Sequence, residues 1–409
     1  MDLIKKLFKG DKAVWIIFML LCVISLIEVY SATSTLAYRK DVFWEPILRH
    51  ATFLLAGVAA MLVLHHIPNR YFSIGVIFLP LSIIMLIITP FIGSKINMAH
   101  RFLSVFGFQF QPSEIAKISC VIFIAYFLSK QERNRNAAFW IMIIALGITC
   151  ALIFPENFST AFLLFVVCFI MMFIGRADSK KMLLTVVILV VAGGGLFAVF
   201  KLTPDGFAKK YFPDRAITWK HRLEGHIAEE DENKYVINDE NRQVNHSKIA
   251  IARGGFIGRL PGRSIQRDYL PQAYSDFIYA IIIEEMGLIG GIGVLALYII
   301  LLFRVAIIAR RCKRLFPKYL ALGSGLLVVI QALINMAVAV NLIPVTGQPL
   351  PLISRGGTSV ILNCLYFGII LSVSRFSAGM GEENDESDEE VEQAESDEEV
   401  EQVESGRQE

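Results

Sequence analysis

Signatures for nucleotide or metal binding are missing from this chain. It has no Walker A phosphate loop and no soluble stretch suited to a nucleotide-binding domain, so any chemistry must draw its energy from the substrate or an ion gradient. Six cysteines, Cys22, Cys120, Cys150, Cys168, Cys312 and Cys364, never form a CxxC pair and fall mostly in apolar runs, as small core residues would. The seven histidines show no metal-ligand spacing, with His65 and His66 at the edge of an apolar run and His221, His226 and His246 scattered. Charge is sparse, at 19 % of residues. The basic residues are strewn along the edges of apolar runs without any nucleic-acid motif, which argues against nucleic-acid binding.

Long hydrophobic runs dominate what is present. Hydrophobic residues make up 55 % of the 409 positions, and the mean hydropathy is +0.56. Runs near 20 residues are enough to cross ~30 Å of hydrocarbon. Ten predicted spans cover residues 13–33, 47–66, 72–91, 113–129, 138–154, 159–175, 181–201, 275–303, 318–343 and 355–375. The fold expected is an all-α polytopic membrane protein of about ten transmembrane helices. The first run is too long for a signal-peptide core and no small-residue cleavage site follows it, so it reads as a retained span.

Lys and Arg set the orientation. One set of short connections holds most of them, including Lys5, Lys6, Lys9, Lys12, Arg133, Arg135, Lys180, Lys181, Arg310, Arg311, Lys313 and Arg314. The opposite set holds mainly Arg39, Lys40, Arg49, Lys95 and Arg101, so the positive-inside rule expects both termini in the cytoplasm. That divides the chain into a cytoplasmic N-terminus at 1–12, a membrane domain at 13–376 with an extracytoplasmic loop at 202–274 between spans seven and eight, and a tail at 377–409. Residues 381–409 carry 15 acids against the single base Arg407, and ESDEEVEQ occurs at 386–393 and again at 395–402. Such a segment cannot bury enough apolar surface to fold alone, so a disordered cytoplasmic tail is expected, with or without a docking role.

The polar groups that stand out gather at the outer ends of the spans. In LPQAYSDFIYAIIIEE, residues 270–285, Asp276 marks the passage from a polar loop into an apolar helix, with Glu284 and Glu285 farther in. Carboxylates in or beside a span are costly and therefore functional candidates. A general base that meets substrate at the water boundary while partly desolvated would sit where Asp276 sits, although a helix cap is the competing reading. On an ideal helix Glu284 is rotated ~80° from Asp276 and lies ~12 Å deeper, and Glu285 faces roughly the opposite side, so both read as buried partners of a cation or polar group.

In QPSEIAK, residues 111–117, Pro112 and Ser113 suggest a helix start, and Glu114 and Lys117 share one face. They form either a neutralising ion pair or, with Arg101, a phosphate-binding cluster at headgroup depth. Arg101 has a snorkelling anchor as its plainer role. PVTGQPLPLISRGGTS, residues 344–359, joins spans nine and ten and supplies Ser354, Gly356 and Gly357 as groups close to a ligand, unless the glycines serve only the turn. A transporter more often gathers its polar groups near the midplane. Their collection at one headgroup level favours a surface reaction on a membrane-borne substrate.

Together FQPSEIAK, YLPQAYSDFIYAIIIEEMGLIG and PVTGQPLPLISRGGTS resemble the shape, elongation, division and sporulation (SEDS) family over nearly the whole chain up to residue 376. PVTG at 344–347 is more similar to the family's division member than to its elongation member. The resemblance implies a peptidoglycan glycosyltransferase that polymerises lipid II at the outer face of the bacterial cytoplasmic membrane during septal wall synthesis. It implies that Asp276 is the catalytic base. Arg101 and Lys117 would offset charge on the leaving pyrophosphate, with Glu114 orienting Lys117 and a divalent cation, Mg or Mn, assisting. A class B penicillin-binding protein with transpeptidase activity and other division proteins are the implied partners.

Two stretches, at three positions, depart from the family pattern. Asn157 and Ser159 stand in PENFSTA where the family has Asp and Gly, and Arg355 stands where a tyrosine usually precedes GG. Three alternatives remain open: an elongation polymerase, a lipid II flippase that would depend on deeper groups such as Glu284, Gln331 or Asn335, and a catalytically idle scaffold.

Overall fold

The structure, a computed structural model, describes residues 8–38, 44–96, 99–105, 108–202, 241–270 and 273–377. Each of the ten predicted spans falls on a helix. These are α1 (Lys12–Tyr38), α2 (Glu45–His66), α3 (Phe78–Ile92, entered through the 3-10 turn Asn69–Ile77), α4 (Pro112–Lys130), α5 (Arg135–Ile153), α6 (Phe158–Ile174) and α7 (Ser179–Leu202). After a short helix, α8 (Arg242–Gly254), come α9 (Ile278–Arg311), α10 (Leu315–Ala339) and α11 (Thr358–Ser377). Among the described residues eight helical stretches are long and apolar enough to cross a membrane, and α6 is a shorter apolar helix. The expected loop at 202–274 is described only from residue 241, and the tail only to Ser377.

α4 and α10 form the middle of the bundle. α10 packs against α4, α6 and α9, and α4 also meets α3, α5 and α6. Large apolar side chains such as Leu55, Phe91, Phe173 and Val191 point outward. Hydrocarbon is the solvent for such faces, and the helices cohere through close packing and internal polar contacts rather than through expulsion of water.

Two features depart from a plain helical reading. Between α3 and α4 lies a small antiparallel sheet of β1 (Ser94–Ile96), β2 (Ala99–Val105) and β3 (Phe108–Phe110), in the order β1-β2-β3. The strands are 3, 7 and 3 residues long, too short for a period of two to stand out among apolar spans.

The second departure is in α9, which is broken at Gly287, where φ is 72°. A Cβ at that position would meet the Phe256 carbonyl at 2.2 Å, so the backbone of 254–260 can cross the helix only at a glycine. Across the break, Arg259 N–H and Leu260 N–H donate to the carbonyls of Glu284 and Glu285 at 3.1 and 2.8 Å.

Glu284 and Glu285 are buried and pin one neighbouring loop. Glu284 accepts from the amides of Ile265 and Gln266, both at 3.2 Å, and from the Ser264 hydroxyl. Glu285 accepts from the amides of Gly262 and Ser264 at 3.0 and 3.1 Å, and from the Ser31 hydroxyl on α1. Charge-assisted bonds of this kind let a carboxylate stay inside a bundle. Of the partners foreseen for these two acids, the structure supplies polar groups of the loop and of α1.

Candidate functional site

Asp276 lies just before α9 rather than within a helix. Phe277 is the N-cap of α9 and makes no side-chain capping bond, so the cap position itself falls one residue after Asp276. It is partly buried, and the Ser275 hydroxyl donates to its Oδ1 at 2.9 Å. Gly347 faces it from the segment 344–357: at φ +67° its absent Cβ would lie 3.5 Å from Asp276 Oδ2.

That segment is tied down along its length by α10, by α6 and by the turn that leads into α9. Asn335 of α10 donates through Nδ2 to the backbone carbonyl of Asp276 at 2.9 Å and to that of Gln348 at 2.8 Å. Gln331, one turn earlier on α10, donates to the Pro349 carbonyl at 3.0 Å. Gln348 itself donates to the Thr160 hydroxyl of α6 at 2.8 Å. Ser354 Oγ receives the Leu350 N–H at 2.8 Å and donates to the Ser275 carbonyl at 2.6 Å. Arg355 N–H closes the set on the Tyr274 carbonyl at 2.9 Å. Buried polar groups of this density hold one arrangement because each lost bond leaves an unpaired group behind.

Lys117 lies beneath the segment. Its ammonium is fully buried, 2.7 Å from Glu114 Oε1, and donates to Gln331 Oε1 at 3.0 Å. The ion pair expected from spacing is present, and Gln331 links Lys117 to Pro349. Ser113 is no cap, because its hydroxyl is buried without a partner, and Pro112 at the first helical positions starts α4 instead. Arg101 falls on β2, but its side chain lies outside the described residues.

Asn157 caps α6, accepting from Thr160 N–H at 3.2 Å. Asparagine caps as well as aspartate does, which accounts for the departure at this position.

Two cavities open beside the site. One of about 470 Å³ is lined by Arg49, Phe53, Phe102, Gln109, Gly356, Gly357 and Thr358. Another of about 240 Å³ is lined by Arg49, His50, Phe53, Tyr274, Arg355 and Gly357. Arg355 stacks over the Tyr274 ring at 5.3 Å. Burial lowers the pKa of its guanidinium from the ordinary value; nearby Arg49 adds to this, and the Tyr274 and Glu45 charges oppose it. A cavity edged by two guanidinium groups and a helix mouth suits an anion.

The sequence reading counted Arg49 only as a loop cation and named Gln331 and Asn335 only as deeper polar groups. The structure uses both of the latter, with Glu284, to hold backbone in place.

Among the described residues no group of three or more His, Cys, Asp or Glu could hold a metal ion. None of the steps proposed below passes through a metal.

Comparison with known proteins agrees with this geometry. A family model described as cell cycle protein, covering FtsW, RodA and SpoVE, matches residues 11–379. The chain is 32 % identical over 382 residues to the probable peptidoglycan glycosyltransferase FtsW of Haemophilus influenzae, covering 89 % of this chain and 90 % of that protein. It is 30 % identical over 376 residues to stage V sporulation protein E of Bacillus subtilis, covering 90 % and 97 %. Among solved structures it resembles a chain described under "Structural coordination of polymerization and crosslinking by a peptidoglycan synthase complex", with TM-score 0.69, 22 % identity, and 90 % and 99 % of the two chains covered. It also resembles the rod shape determining protein RodA of Thermus thermophilus, with TM-score 0.63, 20 % identity, and 90 % and 97 % covered. These matches run the length of the bundle and take in every element of the site: the chain belongs to the FtsW, RodA and SpoVE family of multi-pass membrane proteins, and is FtsW-like within it.

Proposed function

We propose that this chain polymerises lipid II into glycan strands at the outer face of the bacterial cytoplasmic membrane, during septal wall synthesis, with Asp276 as general base. It is a peptidoglycan glycosyltransferase of the FtsW type. The observation that carries the mechanism is the placement of Asp276, a partly buried carboxylate at the approach to α9 that accepts from the Ser275 hydroxyl and faces Gly347.

In the reaction, the 4-hydroxyl oxygen of the acceptor sugar attacks the donor's anomeric carbon with inversion. The hydroxyl proton passes to Asp276, and the anomeric C–O bond to undecaprenyl pyrophosphate breaks as the new glycosidic bond forms. A partly buried place at the water boundary lets such a base meet the acceptor hydroxyl. Arg49 and Arg355, at the edges of the adjoining cavities, suit the pyrophosphate, with Arg101 as a further cation from β2. Lys117, paired with Glu114, keeps the segment over the site through Gln331 and is proposed to act on the leaving pyrophosphate from below. Ser354, Gly356 and Gly357 shape the wall through which the substrate's head enters. A class B penicillin-binding protein is the proposed partner, other division proteins are proposed to gather with it, and both termini are proposed to be cytoplasmic.

The test is glycan-chain formation from purified lipid II by this chain, co-purified with its penicillin-binding protein after the transpeptidase is blocked. Polymer and one undecaprenyl pyrophosphate per bond formed are expected. Lipid II crossing the bilayer without any glycosidic product, with the partner confirmed bound, would overturn the reading in favour of a flippase.

A further inference from the structure

The C-terminal end of α11 meets the link between α9 and α10. Ser377, at the end of α11, lies close enough to Cys312 for its hydroxyl to act on the thiol. Cys312 stands in the middle of RRCKR, where Arg310, Arg311, Lys313 and Arg314 surround it without an acid. All four are exposed, and among the described residues none of them forms an ion pair. Lys318 follows on α10, its ammonium 6.0 Å from the centre of the Tyr319 ring. Four unpaired cations in five residues are a strong local field, and this field lies where the chain leaves α11. What the sequence carries next is its opposite: 15 acids against one base in residues 381–409.

We propose that this acidic segment docks on the RRCKR link of its own chain, through the repeated ESDEEVEQ. Three observations support the pairing. The first is complementarity, since the most acidic stretch of the sequence stands opposite four cations with no other acid paired to them. The second is reach: eight residues lie between Ser377 and Glu386, and the nine steps from one to the other span ~30 Å at ~3.3 Å each, whereas Ser377 already lies beside the link. The third is tethering, which gives the segment an effective concentration of about millimolar at the link, ahead of a free anion from solution. Two copies of the repeat offer two chances of engagement on one tether. A basic link beside a membrane otherwise draws anionic lipid headgroups, so docking would neutralise this face and oblige anything acidic that binds it to displace the tail first.

The experiment is zero-length carbodiimide coupling of carboxyls to lysines in the full chain, reconstituted in nanodiscs of zwitterionic lipid and in nanodiscs with about one third anionic lipid, and mapped by mass spectrometry. Links from acids of 382–404 to Lys313 and Lys318 are expected in both, several-fold above links to Lys9, Lys12, Lys180 or Lys181. They should fall several-fold between about 50 mM and about 500 mM salt. A variant carrying Arg310→Gln, Arg311→Gln and Arg314→Gln, which keeps both acceptor lysines, should lose most of them. So should Glu389→Gln, Glu390→Gln, Glu398→Gln and Glu399→Gln together, which leaves the membrane domain untouched.

The proposal is overturned by an even spread over all lysines or by no links at all. Links that join isotopically heavy and light chains in a mixture would assign the tail to a second copy. Links that vanish in anionic nanodiscs would assign the face to lipid.

Discussion

Asn335 holds Asp276 in place by its backbone: one side-chain amide bridges the Asp276 carbonyl and the Gln348 carbonyl, at 2.9 and 2.8 Å. The start of α9 and the segment across from it are thus fastened to the same nitrogen of α10. Asn335→Asp keeps the shape but points an oxygen at two carbonyls, at a cost of about 1–3 kcal/mol for the unmet groups. Polymerisation by this variant should fall at least tenfold in kcat with little change in KM, measured on purified lipid II. An unchanged kcat would mean that the tie does not position the base.

The Glu114 and Lys117 pair makes a second prediction. Removing one member of a buried pair strands the other and costs about 3–5 kcal/mol, so Lys117→Met and Glu114→Gln should each lower the melting temperature in detergent. The double variant should recover most of that loss, because neither charge is left alone. Its activity should stay low, since Gln331 loses its lysine and with it the support of Pro349. Full recovery of activity would reduce the pair to packing.

Much of this arrangement was legible in the sequence, and the division has a physical cause. Ten apolar runs announce ten helices because hydrocarbon thickness fixes their length and composition. Asp276 stood out because a carboxylate at a span mouth is costly wherever the fold takes it, and Glu114 with Lys117 because their spacing is local. Asn335, Gln348 and Gly347 did not stand out: their roles depend on contacts between distant parts of the chain, which no local period records. The strands between α3 and α4 escaped for want of length, and the break at Gly287 because a glycine in an apolar run reads as helix packing.

Asn157 should tolerate the family's usual residue. Asn157→Asp keeps an oxygen for Thr160 N–H and should leave the melting temperature nearly unchanged, whereas Asn157→Ala loses the cap and about 1 kcal/mol. Because Thr160 also receives Gln348, the alanine variant should lower activity more than stability. Equal melting temperatures for the two variants would count against the cap.

Arg355→Tyr restores the residue more usual in the family and removes one of the two guanidinium groups at the edge of the 240 Å³ cavity. If the pyrophosphate is held there, KM for lipid II should rise about fivefold, equivalent to about 1 kcal/mol, with kcat nearly constant. A fall in kcat alone would place the arginine's influence on the chemical step.

The most direct test of the account is the rate of lipid II polymerisation by Asp276→Asn beside wild type, with matched melting temperatures and equal binding of the penicillin-binding protein as controls. Loss of a general base predicts a fall of about 100-fold or more with the fold intact. Polymerisation at the wild-type rate by a folded, partner-bound Asp276→Asn would contradict it.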